Sequence, residues 1–414
     1  MLGISEIRHN IQALNKGDEK SRRQAIQALK HHEPQEWASV SSEAIDSLVE
    51  SLQTQLLSEI KQPSIRQEVA IILGNMGPRA ASAVPQLVEL LQEGIPDGTR
   101  EAAASALGKI GKESKAGVDP LILLLANRRV ALAVQAVRAL GDIGCADQRV
   151  RTALVNLWLS PIHSQNGKVQ VGIALCKLKI DTPGLLRYLT STLMAHQEPS
   201  LRQSAAEALA WCGKNEVDVV PALLASAQTD KNDDVRAVAE AGLTQLRLSR
   251  EKAIGLCAKQ LGEAFYAESA LKNSGQLAVP ALIEALEMDE PIIREKAART
   301  LGGLGELAAA AVPTLTSTLH DKNLDVRLAA AKGLWNINKL ADAVVPVLID
   351  LLDEKWASAF DAGEVRRRFL LTVIESLWRI GPPAKAAIPA LTKRTKDKNR
   401  LISESALNAL KQIG

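Results

Sequence analysis

The chain has 414 residues, 46% of them hydrophobic and 23% charged, and a net charge of +3. That balance excludes a disordered or collagen-like polymer and neither demands nor excludes nucleic acid. Aromatics are only 3%, so the core must be built from Ala, Leu, Val and Ile, which suits close helix–helix contact better than a β-sandwich.

The N-terminus, MLGISEIRHN, lacks a basic stretch followed by an apolar one, and no signal peptide is expected. No uncharged apolar run approaches the roughly 20 residues that span a bilayer. Cys145, Cys176, Cys212 and Cys257 include no CxxC pair, so neither a zinc site nor a disulfide framework is signalled. Three of them close successive segments (LGDIGC, IALCKL, LAWCGK), where a small buried residue fits a helix seam. A reduced, cytoplasmic protein is expected.

Two signatures alternate along the chain. One reads IRQEVAIILGNMG (65–77), TREAAASALGKIG (99–111), ALAVQAVRALGDIG (131–144), LRQSAAEALAWCG (201–213), IREKAARTLGGLG (293–305) and VRLAAAKGLWNIN (326–338). The other reads AVPQLVELLQ (83–92), VVPALLASAQ (219–228), AVPALIEALE (278–287), AVPTLTSTLH (311–320), VVPVLIDLLD (344–353) and AIPALTKRTK (387–396). The step from Arg66 to Arg100, and again from Arg202 to Arg236, is 34 residues, which predicts about twelve copies.

Each copy explains itself as a helix pair. Pro in a first turn removes no needed N–H and starts the first helix. Apolar residues then recur at helical spacing. Turns such as TDKNDD and HDKNLD supply N-cap oxygens for the second helix, and a Gly stops it. One pair cannot bury its apolar face, whereas a stack can. The fold expected is all-α, an α-solenoid.

The copies resemble HEAT repeats of the short bacterial kind also found in phycobilisome-lyase-type proteins, whose second helix reads D-x-x-VR-x-x-A-A-x-A-L-G-x-I-G. Asp325, Val326, Arg327, Ala329, Ala330 and Leu334 match it, as do Asp234, Val235, Arg236 and Leu243. The resemblance implies a single HEAT-repeat array. It comprises a capping repeat and linker (1–42), regular repeats (43–249), a shortened irregular repeat (250–275), regular repeats with an insertion at 353–368 (276–381) and a basic capping repeat (382–414). It also implies that the acid–Arg pairs Asp234/Arg236, Asp325/Arg327 and Glu290/Arg294 tie one turn to the next, with Arg202 lacking its carboxylate. The fold alone does not assign a task.

Departures from the period are HHEPQEWASVSS (31–42), WLSPIHSQNGK (158–168) and DEKWASAFDAGEVRRR (353–368). Insertions in a solenoid map to loops on one rim or face. Trp37, Trp158 and Trp356 each accompany one. They read either as exposed interaction hot spots or as plugs for a widened gap.

Second-helix positions expected to face outward carry mixed charge (Ser105, Arg138, Glu207, Glu240, Arg299, Lys332, Glu375, Asn408), which favours a protein partner over a duplex. Residues 364–414 are the exception, with eleven Lys/Arg against four Asp/Glu, a net +7. The candidate partner-binding residues are therefore Trp356, Phe360, Arg366, Arg367, Arg368, Arg379, Lys393 and Arg394.

No catalytic, cofactor or metal residue is assigned. The six histidines are dispersed without an HExxH, and GGLGELA (302–308) follows a helix where a dinucleotide loop would follow a strand. The expectation is a non-catalytic scaffold with a protein partner and no cofactor. A nucleic-acid-binding protein using the basic end is the alternative, and a HEAT-type lyase is a third reading. Leu401, Ile402, Leu407, Leu410 and Ile413 offer a possible contact for self-association if their face lacks a cover.

Overall fold

The computed structural model describes residues 4–32, 34–57, 63–160, 164–353 and 363–414. These residues are all-α, with no strand among them, and they divide into two compact units, Met1–Gly213 and Lys214–Gly414.

The first unit holds six helix pairs. They are α1 (Ile4–Lys16) with α2 (Glu19–Lys30), then, after the short α3 (Pro34–Ala38), α4 (Ser42–Leu57) with α5 (Pro63–Asn75). α6 (Val84–Glu89) follows with α7 (Asp97–Ile110), then α8 (Val118–Leu124) with α9 (Val130–Ile143). α10 (Gln148–Leu159) pairs with α11 (Gln165–Lys177), and α12 (Leu185–Ala195) with α13 (Pro199–Cys212).

The second unit holds six more: α14 (Val219–Thr229) with α15 (Asp233–Gln245), α16 (Arg250–Lys259) with α17 (Ala267–Asn273), and α18 (Val279–Ala285) with α19 (Pro291–Leu304). α20 (Val312–Thr318) pairs with α21 (Leu324–Asn338), α22 (Ala341–Leu351) with α23 (Gly363–Ile380), and α24 (Ile388–Arg394) with α25 (Arg400–Ile413). The described residues thus form twelve pairs, the number that the 34-residue step predicts.

Local chemistry sets the boundaries. Val-Pro or Ile-Pro opens α6, α18, α20 and α24, each directly after a 3-10 turn. In α22 the helix begins at Ala341, so Pro346 lies inside it, a departure from the expected start. The sequence Asp-Lys-Asn recurs before three second helices as a fixed device. Asp230, Asp321 and Asp397 accept the N–H of the Asn two residues on, at 2.9, 2.8 and 3.0 Å. Asn232, Asn323 and Asn399 then accept a first-turn N–H of α15, α21 and α25. Gly144 stops α9 in the left-handed conformation, and where a copy lacks Gly, Lys339 adopts it instead (φ 57°).

Small residues let successive second helices touch backbone to backbone. A Cβ on Gly74 would lie 2.9 Å from Ala106 Cα, one on Gly108 would lie 2.9 Å from Ala139 Cα, and one on Gly141 would lie 3.1 Å from Ala174 Cα. In the second unit Gly302 meets Gly333 in the same way, at 2.7 Å. The first glycine of each LGxIG segment is therefore the point of closest approach in the stack.

Two expectations need correction. Cys176 and Cys212 do not stand unpaired in the seam: they form a disulfide joining α11 to α13, with Cα atoms 4.8 Å apart. Their separation of 36 residues is about one repeat, so stacking brings equivalent positions together. The acid–Arg ties are real in kind but have other partners. Arg294 holds Asp321 at 2.7 and 3.0 Å and not Glu290, while Arg327 holds Asp350 at 2.6 Å and not Asp325. Arg236 engages Asp233 and the carbonyl of Asp230, not Asp234. The reason is reach: a guanidinium near the start of a second helix extends to a neighbouring turn or helix. Arg202 donates to the carbonyls of His196 and Gln197.

Hydrogen bonding outweighs burial at one of these ties. Burial would lift the Asp321 carboxyl, but the hydrogen bonds from Arg294 and from the Asn323 N–H hold it below the usual carboxylate range.

Trp37 and Trp158 resolve as plugs, only 1% and 5% exposed. Trp158 meets Tyr188 edge-on at 5.3 Å, and Lys168 covers both rings. Ile402 and Ile413 are buried, while Leu401 and Leu407 remain exposed on α25.

Candidate partner-binding slot

In the second unit α19 packs along α21 and α23 along α25, whereas α21 and α23, like α17 and α19, approach at few points. The connection preceding α23 is long, running from Leu351 to Gly363, where that preceding α21 runs only from Thr318 to Leu324. A slot of about 430 Å³ opens beside this loosened joint. Its floor is Leu328, Ala329 and Phe369, all buried, with Gly302 and Gly333 leaving bare backbone. Its rim carries Glu295 and Arg299 from α19, Asp325 and Lys332 from α21, and Val365 and Arg368 from α23.

Helical spacing explains who faces the slot. In α23, Val365, Arg368, Phe369 and Thr372 recur at i, i+3, i+4 and i+7, one face of a helix. The Leu334–Trp335 and Leu377–Trp378 pairs give the register between copies. By that register Arg368 stands in α23 where Asp325 stands in α21, both 43 residues apart.

The charges divide into bound and unbound. Arg299 bridges Glu295 at 2.8 Å and Glu268 at 2.9 Å, and Lys272 holds the other oxygen of Glu268 at 2.8 Å. Burial would raise Glu268, but these two cations outweigh it and hold the carboxyl low. Glu295 goes the other way. Burial pushes its carboxyl up, Arg299 opposes this only in part, and the negative charges of Asp325 and Glu268 add to the rise. Partial burial likewise raises Asp325. Among the described residues Asp325, Lys332 and Arg368 form no ion pair.

The residues singled out from sequence are not one patch. Arg368 lines the slot, whereas Arg367 pairs with Glu364 and Arg379 with Glu375 at 2.7 Å. Arg366 is half-buried and Lys393 is exposed on α24. Trp356 and Phe360 lie outside the described residues. Arg394 is a correction: it is 4% exposed and donates to the carbonyl of Leu352 (Nε–O 3.0 Å), with Asp397 beside it at 3.4 Å. A guanidinium that satisfies the end of a neighbouring helix is not available to a partner.

Sequence reasoning placed Arg299 and Lys332 on the outward face and Arg368 in the basic run, but did not bring them together. Asp325 and Val365 were missed as rim residues, and the equivalence of positions 325 and 368 is the signal that finds them. Trp378, 46% exposed on α23, was also passed over. Among the described residues no group of three or more His, Cys, Asp and Glu is arranged to hold a metal ion, and no helix is long and apolar enough to cross a membrane.

A family model for HEAT repeats matches residues 7–108, 50–130, 162–244 and 279–362. No curated protein matches the sequence. Among solved structures, an engineered protein is 21% identical over 98% of this chain and 98% of its own, with a TM-score of 0.34. The karyopherin Kap121p bound to the extreme C-terminus of the protein phosphatase Cdc14p is 15% identical over 99% of this chain, with a TM-score of 0.39. This chain spans about half of it, 50%. A chain from a study of the phosphorylation switch between cadherin and β-catenin is 14% identical over 98% of both chains, with a TM-score of 0.38. With the repeat model matching well over half of the sequence, the chain belongs to the HEAT-repeat family.

Proposed function

We propose that this chain is a non-catalytic scaffold that holds a protein partner along its second-helix face. The observation that carries the reading is the slot beside α21 and α23, which combines a recessed apolar floor with a rim of both charge signs. Protein interfaces pair an apolar centre with a polar rim. A surface that tracks a phosphate backbone instead needs accumulated positive charge.

The +7 segment at 364–414 supports nucleic acid as a second reading, through Arg366, Arg368, Lys385, Lys396 and Lys398. Carboxylates already engage Arg367, Arg379 and Arg400 in that segment, which weakens the field it presents.

The test is affinity capture by the tagged full chain from its native lysate, at low and high salt, with and without nuclease. A stoichiometric protein that survives both treatments is the expected result. Nucleic acid that co-purifies and washes off with salt would replace the scaffold reading by the second one.

A further inference from the structure

At four other points on the second-helix face a polar side chain is satisfied from the neighbouring repeat. Lys109 reaches Asn75 at 2.8 Å, Arg138 reaches Gln170 at 2.8 Å, Lys177 reaches Asp142 at 2.8 Å, and Arg299 reaches Glu268. At the loosened joint this ladder stops. Asp325 and Arg368 occupy equivalent positions on adjacent helices, carry opposite charge and do not bridge. Lys332 lies two turns beyond Asp325 on α21, also unbridged.

We infer that the slot takes a short linear segment of the partner protein with mixed charge. One apolar side chain sits on Leu328, Ala329 and Phe369. An acidic residue of the segment meets Arg368 on the α23 wall, and a basic residue meets Asp325 on the α21 wall. The inference rests on the scaffold reading above and adds the chemistry of what is bound.

Three observations favour this occupant. The volume, about 430 Å³, admits one or two large side chains and not a folded surface. The mixed charge of the rim, with Asp325 on α21 facing the level of Arg368 on α23, disfavours a ligand of uniform charge, whether a phosphate backbone or an anionic lipid surface. Asp325, raised by partial burial, faces the slot with no cation bridging it, so the slot leaves one carboxylate acceptor open.

The experiment selects a phage-displayed library of linear peptides on the immobilised full chain, then measures binding of the enriched peptides by fluorescence anisotropy. Enriched sequences are expected to place an apolar residue between one acidic and one basic residue. Arg368→Glu and Asp325→Lys should each weaken binding at least about tenfold. Reversing the matching peptide charge should restore much of the loss. Val365→Trp, which fills the slot from an exposed rim position, should abolish binding while circular dichroism stays unchanged.

The inference is overturned if no peptide is enriched, or if enriched peptides bind all three variants like the native chain. A captured protein that ignores these substitutions and cross-links to other second helices would remove the slot but leave the scaffold reading standing. Capture of no protein at all would remove the scaffold reading itself.

Discussion

Gly302→Ala tests the claim that α19 and α21 are held at backbone contact. The added Cβ would lie 2.7 Å from Gly333 Cα, and that neighbour is backbone, which cannot swing aside. Carbon atoms normally rest about 3.5–4.0 Å apart, so the helices must part by roughly 1 Å. Overpacking of this kind costs about 1–3 kcal/mol. Replacing Gly by Ala inside a helix returns roughly 0.5–1 kcal/mol. The net expectation is a loss of about 0.5–2 kcal/mol. Gly255, inside α16 of the same unit, has nothing within 4 Å of its own would-be Cβ. Gly255→Ala therefore keeps the propensity gain alone and should stabilise by about 0.5–1 kcal/mol. Urea unfolding followed by circular dichroism reads both, as opposite shifts of the transition midpoint. If Gly302→Ala stabilises as Gly255→Ala does, the glycine is only a propensity defect and the contact argument fails.

Three further outcomes follow from named contacts. Arg294→Met leaves Asp321 and the carbonyls of Met288 and Asp289 without their buried donor, and should cost about 3–5 kcal/mol at pH 7 by urea titration. Because the folded Asp321 is depressed below its ordinary 3.8, its contribution is complete above that value and fades as pH falls through the folded one. The gap between native and variant stability should therefore narrow in acid, and a gap independent of pH would refute the pairing. Asn323→Ala removes the acceptor for the N–H groups of Asp325 and Val326, and should lower stability by about 1 kcal/mol in the same assay. Burial pushes the Cys257 thiol up to about 12, so iodoacetamide followed by mass spectrometry should label it only on unfolding, with the half-buried Cys145 reacting first.

The repeat was legible because its signals are local. Pro at a first turn, Asp-Lys-Asn before a second helix and Gly at its end each act within a few residues, and the structure uses them as read except at Pro346. What lies between copies was harder to see. The partner of Arg294 is 27 residues away and belongs to the next turn, so a pattern search pairs it with the adjacent Glu290. Cys176 and Cys212 look unrelated until the stack aligns them. Arg394 reads as part of a basic run, yet it reaches 42 residues back to Leu352 and is lost from the surface.

The slot illustrates why site residues were only partly legible. Sequence shows which residues face outward on one helix, since helical spacing decides that. Whether facing residues of adjacent helices meet depends on how far apart the helices stand, and that distance depends on the connections. At α19 and α21 a Gly–Gly contact brings the helices together. At α21 and α23 the same register places Asp325 against Arg368, but the joint is loose and the two charges stay apart. An ion pair closed here would contribute little at an exposed rim. Left open, the same two charges cost the fold little and are available to select a partner, which is the physical reason to look for function at the joint where the repeat is least regular.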